Sequence, residues 1–106
     1  MYNCRITVVK RSHDQALIDR YLNDSYRNPV FGPCEMFEEG QSFTVTDPNR
    51  IPDGFCAWAW SDIHRELVAI MSGGDLDWMK SPGTALSCCT DGFRPVIFLL
   101  ERLEKD

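Results

Sequence analysis

The sequence predicts an α+β fold in which one long helix packs on a mainly antiparallel sheet, with elements in the order β-α-β-α-β-β. Three observations predict it. Residues 4–11 alternate apolar and polar side chains, as a half-buried strand does. Residues 54–72 carry apolar side chains three and four positions apart, which indicates an amphipathic helix. Near the end of the chain two apolar segments flank Asp91-Gly92, a strong short signal for a β-hairpin.

The first strand and the helix after it are predicted from alternation and capping signals. Cys4 lies on the apolar side of the strand, where it is predicted to be a core residue. Ser12 and Asp14 are both candidate N-caps for a short helix over residues 14–23. We expect that helix to end near Asn23.

Residues 24–41 are rich in the turn-forming residues Asn, Gly and Pro. A connection of this length in a compact domain is usually functional or disordered. Its apolar side chains favour an ordered loop that packs on the body of the protein and carries Cys34. These side chains are Val30, Phe31, Met36 and Phe37. Residues 42–46 then form the second predicted strand.

The long helix over residues 54–72 has the strongest helical signal. Its apolar stripe comprises Cys56, Trp60, Ile63, Leu67, Ile70 and Met71. Asp53 is a candidate N-cap, and Gly73-Gly74 is a candidate stop signal at the C-terminal end. We expect this helix to form the main partner of the sheet.

The last third of the chain is predicted to contain a loop over residues 75–83 and a hairpin with strands over 84–90 and 94–103. Residues 96–100 are apolar on both strand faces. This favours a strand in the middle of a sheet that is covered on both sides, or a strand in a dimer interface. With no internal repeat or linker, residues 1–106 are predicted to form a single α+β domain.

Composition and charge narrow the classes of partner. The chain has 16 acidic and 11 basic residues and a net charge of -5, which argues against nucleic acid and anionic membranes. The beginning of the sequence lacks a signal-peptide pattern, and its apolar runs are too short to span a bilayer. We therefore expect a cytoplasmic protein with reduced cysteines, and a homodimer with a small-molecule or protein partner.

The five cysteines lack the Cys-x-x-Cys spacing of common metal and redox motifs. Cys88 shares a strand face with Leu86 and is predicted to pack in the core, whereas Cys89 points to the opposite face. Cys34, Cys56 and Cys89 are the candidate thiol or metal site, and three thiolates suit zinc or iron with one open position. The alternative is that these thiols pack as small apolar side chains.

Four further residues are candidates for lining such a site. Trp58 lies about 200° around the helix from Trp60, which belongs to the core stripe, so Trp58 is predicted to cover the Cys34 loop or to form an interface. His64 can line a groove with Cys56, although a histidine beside an aromatic residue is more often packed than catalytic. Asp91 and Arg94 flank Gly92, which predicts either an anion site beside Cys89 or a surface ion pair.

Three long segments carry a resemblance to a known family. They are Gly32-Pro33-Cys34 with Phe37-Glu38-Glu39-Gly40-Gln41, Gly54-Phe55-Cys56-Ala57-Trp58-Ala59-Trp60-Ser61-Asp62-Ile63, and Cys88-Cys89-Thr90-Asp91-Gly92-Phe93-Arg94-Pro95-Val96. Over nearly its whole length the chain resembles small uncharacterised cysteine-containing proteins found largely in anaerobic bacteria and archaea. The resemblance implies four motif cysteines, Cys34, Cys56, Cys88 and Cys89. An anaerobic setting suits reactive thiols or an oxygen-sensitive metal centre.

Two functions from different classes follow from these residues. The first is a binding or accessory module that uses the loop over residues 29–40 and the Trp-bearing helix to hold a ligand, metal or partner. The second is a small cysteine-dependent enzyme or redox protein with Cys56 or Cys89 as its reactive thiol, assisted by His64 or Asp91. The first is favoured, because no nucleophile–base pair occurs at local spacing.

Overall fold

A computed structural model describes residues 1–27 and 31–104 of the chain. The helices and strands follow in the order β1 (Asn3–Arg11), α1 (Gln15–Tyr21), β2 (Ser42–Val45), α2 (Ala57–Met71), β3 (Thr84–Cys88) and β4 (Val96–Leu103). A single 3-10 turn, Asp24–Tyr26, follows α1. This confirms the predicted α+β class and element order. Asn28, Pro29 and Val30, on which the loop prediction partly depends, lie outside the described residues.

The four strands form one antiparallel sheet in the order β2-β1-β4-β3. The two longest strands, β1 and β4, therefore lie in the centre, and β2 and β3 form the edges. Ile6 lies opposite Phe43 on one side and Leu100 on the other, which fixes the register across three strands. The pairing of β1 with β4 shifts between Val8 and Lys10, where β1 contains an irregularity.

One face of the sheet and the apolar side of α2 form the core. The helix contributes the buried residues Ala59, Ile63, Leu67, Ile70 and Met71. The sheet contributes Cys4, Ile6, Val8, Val45, Ala85, Val96, Phe98 and Leu100. Phe37 and Phe55, from the connections before β2 and α2, complete the cluster. The predicted helical stripe is thus the core stripe, with Cys56 and Trp60 at its partly buried margin.

The opposite face of the sheet is more open than the sequence predicts. The prediction that Cys88 packs in the core is wrong, because its side chain is exposed and Leu86 on the same face is 56% exposed. Ala85 has the opposite parity along β3, and its side chain faces α2. On β4 the same alternation buries Val96, Phe98 and Leu100 and leaves Ile97 and Leu99 half-buried.

The ends of α2 differ from each other in how they are capped. The N-cap is Cys56 and not the predicted Asp53, so the helix begins three residues later than expected. At the other end the predicted glycine stop is confirmed. Gly73 has a φ of +94°, which favours glycine, and its N–H donates to the Ile70 carbonyl. Gly74 N–H donates to the Ala69 carbonyl.

The connection between β3 and β4 is longer than a two-residue hairpin turn. Asp91-Gly92 correctly predicts an antiparallel pair, but β3 ends at Cys88 and β4 begins at Val96. The Asp91 carboxylate accepts hydrogen bonds from the N–H groups of Phe93 and Arg94, at 2.9 and 3.2 Å. This local turn explains why the aspartate stands here, because such a side chain substitutes for a backbone acceptor.

Arg102 joins the C-terminal end of α2 to the loop before β3. Its guanidinium donates to the carbonyls of Ile70 and Gly74, at 3.2 and 2.8 Å, and to the Asp75 carboxylate at 2.9 Å. Asp75 also accepts the Gly83 N–H at 2.8 Å. The hydrogen bond from Arg102, followed by that from Gly83, lowers the pKa of the Asp75 carboxyl.

Candidate functional site

A pocket of about 200 Å³ opens beside the N-terminal end of α2. Cys34, Cys56 and Cys89 all line it, and we call it the thiol pocket. Cys34 comes from the loop before β2, Cys56 from the start of α2, and Cys89 from the first position after β3. The structure therefore brings to one cavity the three cysteines that the sequence groups as a candidate site.

The inner wall of the thiol pocket is apolar. Phe37, Ala59 and Val96 line it, and each is at most 2% exposed. Trp58 also lines the pocket but is 84% exposed, so its indole lies at the rim. This arrangement agrees with the prediction that Trp58 faces away from the core stripe. An aromatic side chain at the mouth of an apolar cavity provides a surface against which a ligand can pack.

Cys56 stands at the helix terminus that faces the pocket. It is the N-cap of α2, and in the described part of the chain its side chain makes no capping hydrogen bond. The first N–H bonded within the helix is that of Trp60, which donates to the Cys56 carbonyl at 2.9 Å. The amides of Trp58 and Ala59 precede it, in residues that line the pocket. Free amides at a helix start favour negative charge nearby.

Backbone contacts hold the other two cysteines. Cys89 donates its N–H to the Val96 carbonyl at 3.0 Å, and its Sγ accepts the Val96 N–H at 3.3 Å. The carbonyl of Cys34 accepts a hydrogen bond from the Arg11 guanidinium at 3.1 Å, which ties the loop to the end of β1. Both thiols are therefore carried by backbone that is fixed to the central strands.

The two carboxylates that line the pocket, those of Asp62 and Asp91, both accept hydrogen bonds from other residues of the chain. Asp62 Oδ2 accepts hydrogen bonds from the N–H and the hydroxyl of Thr90, at 2.8 and 3.0 Å. This pair joins the second turn of α2 to the residue that follows Cys89. Asp91, whose carboxylate forms the turn described above, lines the pocket as predicted. Each carboxylate thus positions a wall of the pocket.

His64 and Arg94, the other predicted site-lining residues, are not among the residues that line the thiol pocket. His64 Nε2 lies 2.7 Å from the Pro48 carbonyl oxygen, and its ring packs edge-on against Trp60. The Arg94 guanidinium lies over the Phe31 ring, with Cζ 4.1 Å from the ring centroid. Its Nε is 3.7 Å from an Asp91 oxygen. The sequence predicts either an anion site or a surface ion pair here, and this contact is the ion pair.

Several lining residues have no distinct signal in the sequence. Phe37, Asp62, Thr90 and Val96 are ordinary loop, helix and strand residues until the fold brings them together. Ala59 is the exception. It lies one turn after Cys56 and is a small residue in a stripe of large ones, which leaves room beside the helix.

Two further questions concern the cysteines: whether they are grouped with other metal-binding side chains, and where Cys4 lies. Among residues 1–27 and 31–104, no three His, Cys, Asp or Glu side chains are grouped closely enough to hold a metal ion. Cys4 is fully buried in the core, and burial raises the pKa of its thiol to about 11. The α-helices of the described residues, α1 and α2, are both too short to span a bilayer.

Comparisons of the chain with protein-family models, with curated proteins and with solved structures found no match. The geometry and chemistry of the thiol pocket are therefore the basis on which a function can be assigned.

Proposed function

We propose that the protein is a binding module and that its ligand is a small, largely apolar molecule held in the thiol pocket. The observation that carries this proposal is the convergence of Cys34, Cys56 and Cys89 on one cavity with a buried apolar wall. Three separate parts of the chain build the cavity. Pockets of this kind, apolar with a few placed polar groups, are the usual form of small-molecule sites.

The size of the pocket limits the ligand. An apolar cavity of roughly 150 Å³ binds benzene. At about 200 Å³, the thiol pocket suits a molecule with one ring or an aliphatic body of similar size. The exposed Trp58 indole can cover one side of such a molecule, and the N–H groups at the start of α2 can donate hydrogen bonds to a polar or anionic end of it.

The segments that resemble the family of cysteine-containing proteins support the same site. Residues 32–41, 54–63 and 88–96 together contain every residue that lines the thiol pocket. The three segments belong to different elements, a loop, a helix and a hairpin connection, and the pocket is the feature that they share. A shared binding site gives a physical reason for long motifs at these three places.

Binding of a one-ring probe tests the proposal. Indole titrated into ¹⁵N-labelled protein is expected to give saturable shifts of the amide signals of Ala59, Cys89 and Thr90. Amides of α1 serve as the internal reference and are expected to stay unchanged. Absence of saturation, or shifts spread evenly over the sheet, would contradict a preformed ligand site.

Two neighbouring cysteines provide a matched pair of variants. Cys89→Phe places a ring in the thiol pocket and is expected to weaken indole binding at least about tenfold. Cys88→Phe places the same ring on the open face of the sheet and is expected to leave binding unchanged. If the two substitutions change the affinity for indole equally, indole does not bind in the thiol pocket.

A cysteine-dependent enzyme is the second candidate, and the position of Cys56 at an uncapped helix start favours it. An enzyme of this type needs a reactive thiolate at neutral pH. Site-resolved iodoacetamide labelling from pH 6 to 10 is then expected to modify Cys56 faster than the exposed Cys88. Cys4 is the unreactive reference, because a thiol with a pKa near 11 stays protonated over most of this range. Labelling of both Cys56 and Cys89 no faster than that of Cys88 would refute the enzyme hypothesis.

We further propose that the chain acts as a homodimer in the cytoplasm of an anaerobic host. Reducing conditions would keep the thiols of the pocket free, which a ligand site built from three cysteines requires. The strand edges of the sheet provide a surface for the dimer.

A further inference from the structure

In the part of the chain that the structure describes, the β3 edge of the sheet has backbone groups that no other strand pairs. The Cys89 N–H donates to the Val96 carbonyl, and the Arg102 N–H donates to the Gly83 carbonyl. Odd-numbered residues along β3 therefore bond to β4, and Thr84, Leu86 and Cys88 direct their N–H and C=O groups away from it. In the described part of the chain, β4 is the only strand that pairs with β3.

Within the described residues, this edge lacks three features that protect sheet edges from further pairing: charged side chains, proline and a bulge. The sequence of β3, Thr-Ala-Leu-Ser-Cys, contains no charged residue and no proline, and its pairing with β4 shows no register shift. Leu86 is 56% exposed, and Trp78 nearby is 75% exposed. The other edge strand, β2, has four residues, and none of the exposed large apolar side chains belongs to it.

A groove of about 440 Å³ runs beside the β3 edge. Leu76, Trp78 and Leu86 give it an apolar surface, and Arg65 and Glu66 of α2 line it as well. Glu66 is held over β3, because one of its carboxylate oxygens accepts the Ser87 hydroxyl at 3.0 Å. Arg65 is 91% exposed, with its Nε 3.0 Å from the other Glu66 oxygen. The groove therefore places one cation and one anion next to the outer edge of β3.

We infer that β3 pairs with β3 of a second copy of this chain and that the two sheets join into one continuous sheet. The inference rests on the proposed homodimer and is independent of the ligand in the thiol pocket. A two-fold axis at Leu86 places the two Leu86 residues opposite each other, and Thr84 opposite Cys88 of the second copy. All outward backbone groups of the edge then form hydrogen bonds.

The charges beside the edge favour a second copy over an unrelated strand. A two-fold contact is made by the same patch on both partners, so the patch must be complementary to itself. Arg65 and Glu66 meet this requirement, because the axis brings the two α2 helices to the same face of the joined sheet. There each arginine can pair with the glutamate of the other copy. Trp78 and Leu86 of both copies lose exposed apolar surface in the same contact.

Sedimentation velocity at micromolar concentrations tests this inference. The wild-type chain is expected to be a dimer. Leu86→Arg, which puts two like charges at the axis, is expected to raise the dissociation constant of the dimer at least about 100-fold. Leu17→Arg is the matched control, because Leu17 lies on α1 and is 41% exposed. That variant is expected to remain dimeric.

Amide hydrogen exchange distinguishes the edge from any other dimer surface. Protection of the Leu86 and Cys88 amides is expected to rise with protein concentration in the wild type and to be lost in Leu86→Arg. A monomeric wild-type chain would overturn the inference, as would a Leu86→Arg variant that remains a dimer. Indole binding by a monomeric chain would leave the thiol pocket proposal standing, so the two proposals can fail separately.

Discussion

Replacing Phe37 by alanine is expected to lower the free energy of unfolding by about 3–5 kcal/mol. Phe37 is 2% exposed and packs edge-on against Phe43, Phe55 and Phe98, with ring centroids 6.0, 5.1 and 5.2 Å away. The substitution removes a large ring from the centre of an aromatic cluster and leaves a cavity. Urea unfolding followed by tryptophan fluorescence measures the loss.

The neighbouring position provides the control for Phe37→Ala. Met36 is 57% exposed, so Met36→Ala is expected to change the free energy of unfolding by less than about 0.5 kcal/mol. Because Phe37 also lines the thiol pocket, its replacement is expected to make Cys34 react faster with iodoacetamide. A loss below about 1 kcal/mol would mean that the loop is not fixed to the core in this way.

Replacing Arg102 by methionine is expected to lower the free energy of unfolding by about 2–4 kcal/mol. The methionine keeps most of the aliphatic packing but removes the donors to two carbonyls and to Asp75. The Gly74 carbonyl and the Asp75 carboxylate then each lose a hydrogen bond, which weakens the attachment of the loop before β3 to the C-terminal end of α2. The loss is measured by urea unfolding of the variant.

A second arginine serves as the control, because its replacement shows how much stability changes when a positive charge is removed without loss of the Arg102 hydrogen bonds. Arg65→Met removes a cation whose side chain is 91% exposed, and it is expected to change the stability of the monomer by less than about 0.5 kcal/mol. The comparison is made in the Leu86→Arg background, so that loss of the proposed dimer contact does not contribute. Equal losses for Arg65→Met and Arg102→Met would contradict the anchoring role of Arg102.

The fold was predictable from the sequence because each element carries its own local signal. The stripe from Ile63 to Met71 repeats at the period of a helix, and residues 4–11 repeat at the period of a strand. The start of α2 was less predictable. Asp53 is a better capping residue by type than Cys56, but the chain between them forms a turn in which the Phe55 N–H donates to the Pro52 carbonyl.

The face of β3 that points to the core could not be predicted from local pattern. Leu86 is the largest side chain of the strand and suggests that its own face is buried, yet Ala85 faces the helix. The choice depends on register with β4, where Leu100 lies opposite Ala85. A small residue there leaves room for α2, and this requirement appears only after the helix is placed on the sheet.

The cysteines of the candidate site were predictable from the sequence, but the residues that surround them were not. Cys34, Cys56 and Cys89 stand out by residue type. Cys56 and Cys89 lie at the ends of α2 and β3, whereas Cys34 lies within the loop before β2. That they line one cavity depends on how the loop before β2 is held, through Phe37 and the contact of Arg11 with the Cys34 carbonyl. Such long-range contacts have no signature in the spacing of the cysteines.

Counting adducts tests whether Cys34, Cys56 and Cys89 share one small pocket. Native protein is treated with excess N-phenylmaleimide and analysed by intact mass spectrometry and peptide mapping. A pocket of about 200 Å³ has room for one such adduct, so one fast adduct is expected at Cys88 and one among Cys34, Cys56 and Cys89. Modification of the first pocket thiol is expected to block the other two until the protein is unfolded. Rapid addition to all three of these thiols in the native protein would show that they do not share one small pocket.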